Sequence, residues 1–122
     1  MRKVKKKKGN IRYVNHAYIY NVKNFTVLYF FGTNRDWIRN YEWVDVYVPA
    51  EGPLNKIVLK FRDEPSFDSY KLTNRKGTTP YIGFRRIVKM FNIPLGRYRA
   101  EYDEENRTVT VYLDQRVDED VR

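Results

Sequence analysis

The chain has no cysteine. Disulfides, thiol nucleophiles and thiolate metal sites are excluded. A small domain without disulfides favours a reducing home, the cytoplasm or a virus within it. Histidine occurs once, at His16. With no second histidine to share a metal, it reads as a hydrogen-bonded strand residue and not a ligand. Nucleophilic catalysis by Ser or Cys with His lacks its parts, and there is no phosphate-loop or dinucleotide fingerprint. Asp103, Glu104 and Glu105 are neighbours on a turn, not the spaced, facing carboxylates that glycoside hydrolysis needs. These absences argue against an enzyme and imply no metal and no cofactor. No apolar run approaches the ~20 residues of a membrane span. The longest, "FTVLYFFG", is strand-sized. The start, "MRKVKKKKGN", has no apolar segment behind its basic residues, so it does not read as a secretory signal.

Negative charge is missing from one long stretch. "KLTNRKGTTPYIGFRRIVKMFNIPLGRYR" runs from Lys71 to Arg99 with eight basic residues and no aspartate or glutamate. The whole chain carries 24 basic and 15 acidic residues and a net charge of +9. That sign favours a polyanion, chiefly nucleic acid, with an anionic membrane surface as the rival.

The 122 residues suffice for one domain. Hydrophobic residues make up 42%, aromatics 16%, and there are 11 tyrosines, so a core of ordinary size is available. Residues 1–10 read as a basic disordered arm, because Lys5 to Lys8 repel one another and bury nothing. Tyr, Val, Ile and Phe then predict strands at about 11–20 and 25–31, with "NVKN" as the turn. Thr33 or Asn34 is a candidate cap for a short helix with Asp36 in its first turn. "WVDVYV" alternates strictly, "KIVLKF" returns as its partner, and Pro49, Gly52 and Pro53 mark the turn between them. "RDEPSFDS" is a polar connector. "SYKLT", "NRKG" and "TPYIG" predict strand, turn and strand. Phe84, Ile87, Val88 and Phe91 form one apolar stripe of a helix over 84–91, which Asn92 and Pro94 end. "RYRAEY" and "RTVTVYL" form a hairpin. The last stretch, 115–122, reads as an acidic tail. The fold class is therefore mainly β (α+β), with one or two short helices.

The order of elements suggests an internal repeat. A shift that lays Lys56 on Thr108 also lays Tyr18 on Tyr70, Tyr29 on Tyr81 and Asn40 on Asn92. The units would be 18–61 and 70–113 of one domain covering 11–114.

The second unit resembles the AbrB/MazE/SpoVT swapped-hairpin family over Ser69 to Asp114. The order "YKLT-NRKG-TTPYIG-FRRIVKMF-NI-PLG-RYRAEY-DEEN-RTVTVYL" follows the family's strand, Lys-Gly turn, strand, short amphipathic helix, turn and final hairpin. It departs in two places: the segment after Gly77 is about two residues longer, and Pro80 sits early in the second strand. The first unit, with "NVKNF", lacks the glycine and most of the charge. The resemblance implies a swapped-hairpin β-barrel, here an internally duplicated pseudo-dimer, and a DNA-binding transcription regulator or antitoxin. In that family the basic loop and strand approach DNA, which carries over most directly to Arg75 and Lys76.

Read from the residues themselves, the candidate nucleic-acid contacts are Lys71, Arg75, Lys76, Arg85, Arg86, Lys89, Arg97 and Arg99. Arginine forks, lysines and turn amides together suit phosphate oxygens. Duplex DNA is the expected partner, with no membrane. The alternative is a protein-binding module, antitoxin-like or a viral or plasmid inhibitor, docking a protein partner or a second copy through its aromatic or acidic surface. A small basic ribonuclease using Lys, Arg and Tyr is a third class, but no spacing singles out such a trio.

Overall fold

The computed structural model describes residues 14–117. β1 (His16–Val22) and β2 (Phe25–Phe31) form a hairpin in which Val22 faces Phe25. Only Lys23 and Asn24 lie between them, and Lys23 takes up the positive φ (55°) that so tight a turn requires. β1 begins at His16, later than the expected strand at about 11–20, whose first residues lie partly outside the described ones.

A 3-10 helix, Asp36–Asn40, follows. Neither Thr33 nor Asn34 caps it. Arg35 holds the cap position without a side-chain bond, and the Thr33 N–H donates to Asn15 Oδ1 at 3.1 Å. The helix is held by its apolar pair instead: Trp37 and Ile38 are both buried in the core. β3 (Trp43–Tyr47) and β4 (Lys56–Arg62) pair antiparallel. In β4, Ile57, Leu59 and Phe61 point inward and alternate with exposed Lys56 and Lys60 and half-buried Val58 and Arg62, the period of two of a half-buried strand.

β5 is short (Tyr70–Lys71), as is β6 (Tyr81–Gly83). Pro80 stands just before β6, where its missing N–H costs nothing, and its carbonyl accepts from the Phe30 N–H at 3.0 Å. The helix α1 (Arg85–Phe91) buries Ile87 and half-buries Val88 behind the fully buried Phe84. Phe91 departs from the expected stripe and is 37% exposed. Asn92 turns the chain into the left-handed region (φ 53°), and Ile93 takes the buried place instead. β7 (Gly96–Asp103) and β8 (Thr108–Arg116) close the chain as a hairpin. β8 runs into the stretch expected as an acidic tail, and the Val117 N–H still donates to Arg97 O at 2.9 Å. The rest of that tail, like the basic arm, lies outside the described residues.

All pairings are antiparallel, in the order β5-β3-β4-β8-β7-β1-β2-β6. The two edges meet where Thr73 and Tyr81 exchange backbone hydrogen bonds of 2.9 and 3.0 Å, leaving a nearly closed β-barrel. One core fills it, built on Ile19, Phe30, Phe61, Ile82, Tyr98 and Val111 among others. The pairing scheme has a symmetry of its own. Exchange β1, β2, β3, β4 with β5, β6, β7, β8 and every pair maps onto another: β1·β7 onto β5·β3, β3·β4 onto β7·β8, and β2·β6 and β4·β8 onto themselves. No helix is long and apolar enough to cross a membrane among the described residues.

Candidate nucleic-acid interface

The acid-free stretch is continuous in sequence but is divided in space. β6 lies across its middle, paired with β2 so that Tyr81 faces Tyr29 and Gly83 faces Val27. Arg75 and Lys76 precede β6 and sit near the end of β2. Arg85, Arg86 and Lys89 follow β6 and sit near the start of β2, where the Phe84 N–H donates to Thr26 O at 2.9 Å.

At the first end, the turn before β6 is built around Arg39. Its guanidinium donates to the carbonyls of Asn74 (3.3 Å), Arg75 (3.2 Å) and Thr78 (2.5 Å). Asn74 Nδ2 answers by donating to Arg39 O and Tyr41 O. The Thr78 N–H and hydroxyl both donate to Arg75 O. With its carbonyls held, the turn leaves the Arg75 and Lys76 side chains exposed. Gly77, at φ 86°, supplies the conformation that other residues resist.

At the other end, the β1–β2 turn rests against α1. An open cleft of about 450 Å³ is lined by Asn21, Lys23, Asn24, Thr26, Arg85 and Lys89, with no carboxylate among the described residues. Arg86 is exposed on the same helix. None of Lys23, Arg75, Lys76, Arg85, Arg86 or Lys89 is in an ion pair among the described residues. Each end has the same plan: the turn between the first two strands of one half lies against the helix of the other half.

The remaining three candidates are engaged elsewhere. Lys71 lies 5.0 Å over the Trp43 ring and 4.0 Å from Glu42. Arg99 pairs with Glu101 at 2.7 Å, reaches Gln115 at 3.2 Å and stacks on Tyr112 at 4.9 Å. Arg97 is half-buried, 3.8 Å over Tyr18, with Nη1 2.8 Å from His16 Nε2. His16 is fully buried, and its Nδ1 lies 2.6 Å from Val14 O. A carbonyl only accepts and a guanidinium only donates, so Nδ1 carries the proton and Nε2 receives. Lys23 and Arg39 escaped sequence reasoning. A lysine in a tight turn between two strands was a usable signal for Lys23; the grip of Arg39 across 36 residues has no local signature.

The acids have their own places. A wider cleft of about 620 Å³ is lined by Asp36, Glu104, Thr33, Asn34 and Trp37, with no basic residue among the described ones. Asp45 of β3 is 7% exposed and accepts from the hydroxyls of Ser66 and Ser69, both at 2.6 Å, with Arg62 at 3.6 Å. Burial pushes its carboxyl up. The two serine bonds and the charges of Arg62 and Lys60 outweigh that and hold it below the ordinary value. This pins the 63–69 connector to the barrel. Tyr102 donates to Phe31 O at 2.9 Å, and burial pushes its hydroxyl far up. Among the described residues, no three His, Cys, Asp or Glu side chains gather as a metal site.

No protein-family model, no curated protein and no solved structure matches the chain.

Proposed function

We propose that this is a duplex-DNA-binding protein, a cytoplasmic transcription regulator of swapped-hairpin, AbrB-like type, built as a pseudo-dimer within one chain. The observation that carries this reading is the pair of turn-and-helix ends, Arg75/Lys76 and Lys23/Arg85/Lys89, exposed and free of acidic partners among the described residues. Their placement supports a duplex. The axis that would exchange β2 with β6 is normal to their shared sheet, so both turns can approach one ligand together.

Phosphate contacts make affinity fall with salt at a log-log slope of about −0.9 per contact on B-DNA. The test is binding to a random duplex at several salt concentrations, with wild type, Arg75→Ala/Lys76→Ala, and a chain lacking residues 1–8. The alanine pair is expected to weaken binding and flatten the slope by about two contacts. If removing the arm abolishes binding while the alanine pair changes nothing, the basic ends are solvated surface and the DNA reading falls.

One observation favours the protein-binding alternative. Phe67 is 98% exposed at the tip of the acidic connector, between Glu64 and Asp68. Exposed aromatics of that kind anchor protein interfaces. Loss of a basic protein partner on Phe67→Ala, with duplex binding absent, would establish that reading in place of the first.

A further inference from the structure

We propose that a groove beside Tyr20 takes an unpaired base of single-stranded nucleic acid, a second mode of binding that adds a stacking site the duplex does not use to the cations of one turn. β1 alternates: Ala17 and Ile19 point into the core, while Tyr18 (half-buried) and Tyr20 (exposed) lie on the other face with His16, which is buried against Phe31. Its neighbours continue the aromatic row, since Tyr18 faces Tyr29, His16 faces Phe31, and Tyr29 faces Tyr81 on β6. The rings stack or tilt together, His16 on Phe31 at 5.0 Å and Tyr29 against Tyr81 at 5.5 Å. The row ends at Tyr20, whose ring lies 4.9 Å from Tyr18 at an interplanar angle of 24°. Tyr20 remains 46% exposed.

An open groove of about 350 Å³ runs beside it, lined by Tyr18, Tyr20, Leu95, Arg97, Arg116 and Val117, with no carboxylate among the described residues. Its size is at the lower end for ligand sites of roughly 300–1,000 Å³. Arg116 is fixed at its edge. Its Nη2 donates to Leu95 O at 3.1 Å and its guanidinium lies 5.0 Å over Tyr98. Gly96 (φ 149°) makes this possible, because a Cβ there would collide with the guanidinium. A flat ring exposed at the end of a stack and an arginine at its edge together suit a base and its phosphate. A duplex hides the faces of its bases, so an aromatic row on the outer surface of a barrel can engage only unpaired ones. The groove also leads onward: Asn21, the next residue after Tyr20, lines the Lys23/Arg85/Lys89 cleft. A strand whose base stacks on Tyr20 would pass its backbone to those cations.

The experiment uses the full chain and two probes, a short labelled oligo-dT strand and a duplex of equal length, read by fluorescence anisotropy. The variants are Tyr20→Ala, Tyr20→Phe and Arg75→Ala/Lys76→Ala, with thermal melts to confirm folding. Tyr20→Ala is expected to weaken oligo-dT binding by roughly 5- to 150-fold, the range for loss of one stacked base, and to leave duplex binding unchanged. Tyr20→Phe should bind oligo-dT like wild type, since the π-face is kept. The Arg75/Lys76 pair should lower duplex binding only. Absence of oligo-dT binding, equal oligo-dT binding by wild type and Tyr20→Ala, or a proportional loss of both probes in Tyr20→Ala would each overturn the proposal. Oligo-dT binding that depends on Tyr20 without any duplex binding would support it while removing the duplex function.

Discussion

Arg39 donates to the main-chain oxygen of Arg75 at 3.2 Å, so a residue of the 3-10 helix fixes the turn that presents Arg75 and Lys76. The same guanidinium holds Asn74 O and Thr78 O. Arg39→Ala removes all three hydrogen bonds. Arg39→Lys keeps the charge but not the planar fork. Both should loosen the turn and lower melting stability by about 1–2 kcal/mol. Duplex affinity should fall in both, with the slope against log salt unchanged, because no phosphate contact is lost. A slope flattened by about one contact in Arg39→Ala would mean that Arg39 itself touches DNA and is not only a positioning residue.

The local elements were legible where pattern and packing agree. β2 at 25–31 and the helix stripe through Phe84, Ile87 and Val88 follow from period and composition, and both appear. The failures have a common cause in long-range contacts. The 3-10 helix forms because Trp37 and Ile38 find the core, not because a side chain caps it. Phe91 is exposed because Asn92 reverses the chain one residue later. The basic stretch looked like one surface because its partners are remote in sequence. Glu42 faces Lys71, and His16 and Tyr18 receive Arg97. Five of the eight candidates remain exposed without such partners among the described residues, and Lys23 joins them only through the fold.

Gly32 follows β2 at φ 136°, and a Cβ there would run into the side chain and Cα of Asn15. Asn15 cannot withdraw freely, since its Oδ1 accepts the Thr33 N–H and its carbonyl accepts from Ala100 N–H at 3.2 Å. Gly32→Ala therefore meets both an unfavourable backbone and a fixed neighbour. It should destabilise the barrel by about 1–3 kcal/mol, measured by denaturant unfolding. Gly52→Ala is the control. It shares a positive φ (82°) but has nothing within 4 Å of its Cβ position, so it should cost less.

Asp45 makes stability depend on acid. Its carboxyl lies lower in the folded chain than in the unfolded one, because the bonds from Ser66 and Ser69 and the charges of Arg62 and Lys60 outweigh burial. A depressed acid contributes stability above its unfolded value of about 3.9, and that contribution is lost as pH falls through the folded value. Asp45→Asn keeps the shape and removes the charge. Wild type should melt higher than Asp45→Asn at neutral pH, and the gap should narrow as pH drops below about 4. A gap of constant size across that range would show that the carboxylate's charge contributes nothing.

The symmetric pairing predicts how half the chain behaves. Each strand of the second half has a neighbour in the first: β5 pairs β3, β6 pairs β2, β7 pairs β1 and β8 pairs β4. Residues 69–114 alone would keep only the β7–β8 hairpin and the Thr73–Tyr81 bridge, and would expose an edge on every strand. A piece this short also buries too little surface to be stable by itself. A second copy, however, could supply β1 to β4 in the guise of its own β5 to β8, because the exchange maps each pair onto another. The fragment should therefore be unfolded at low concentration and form a folded dimer at high concentration, with melting that rises with concentration. Sedimentation and circular dichroism over a dilution series distinguish these states. A folded monomer at every dilution would show that the halves do not depend on each other, and the pseudo-dimer proposal would be abandoned.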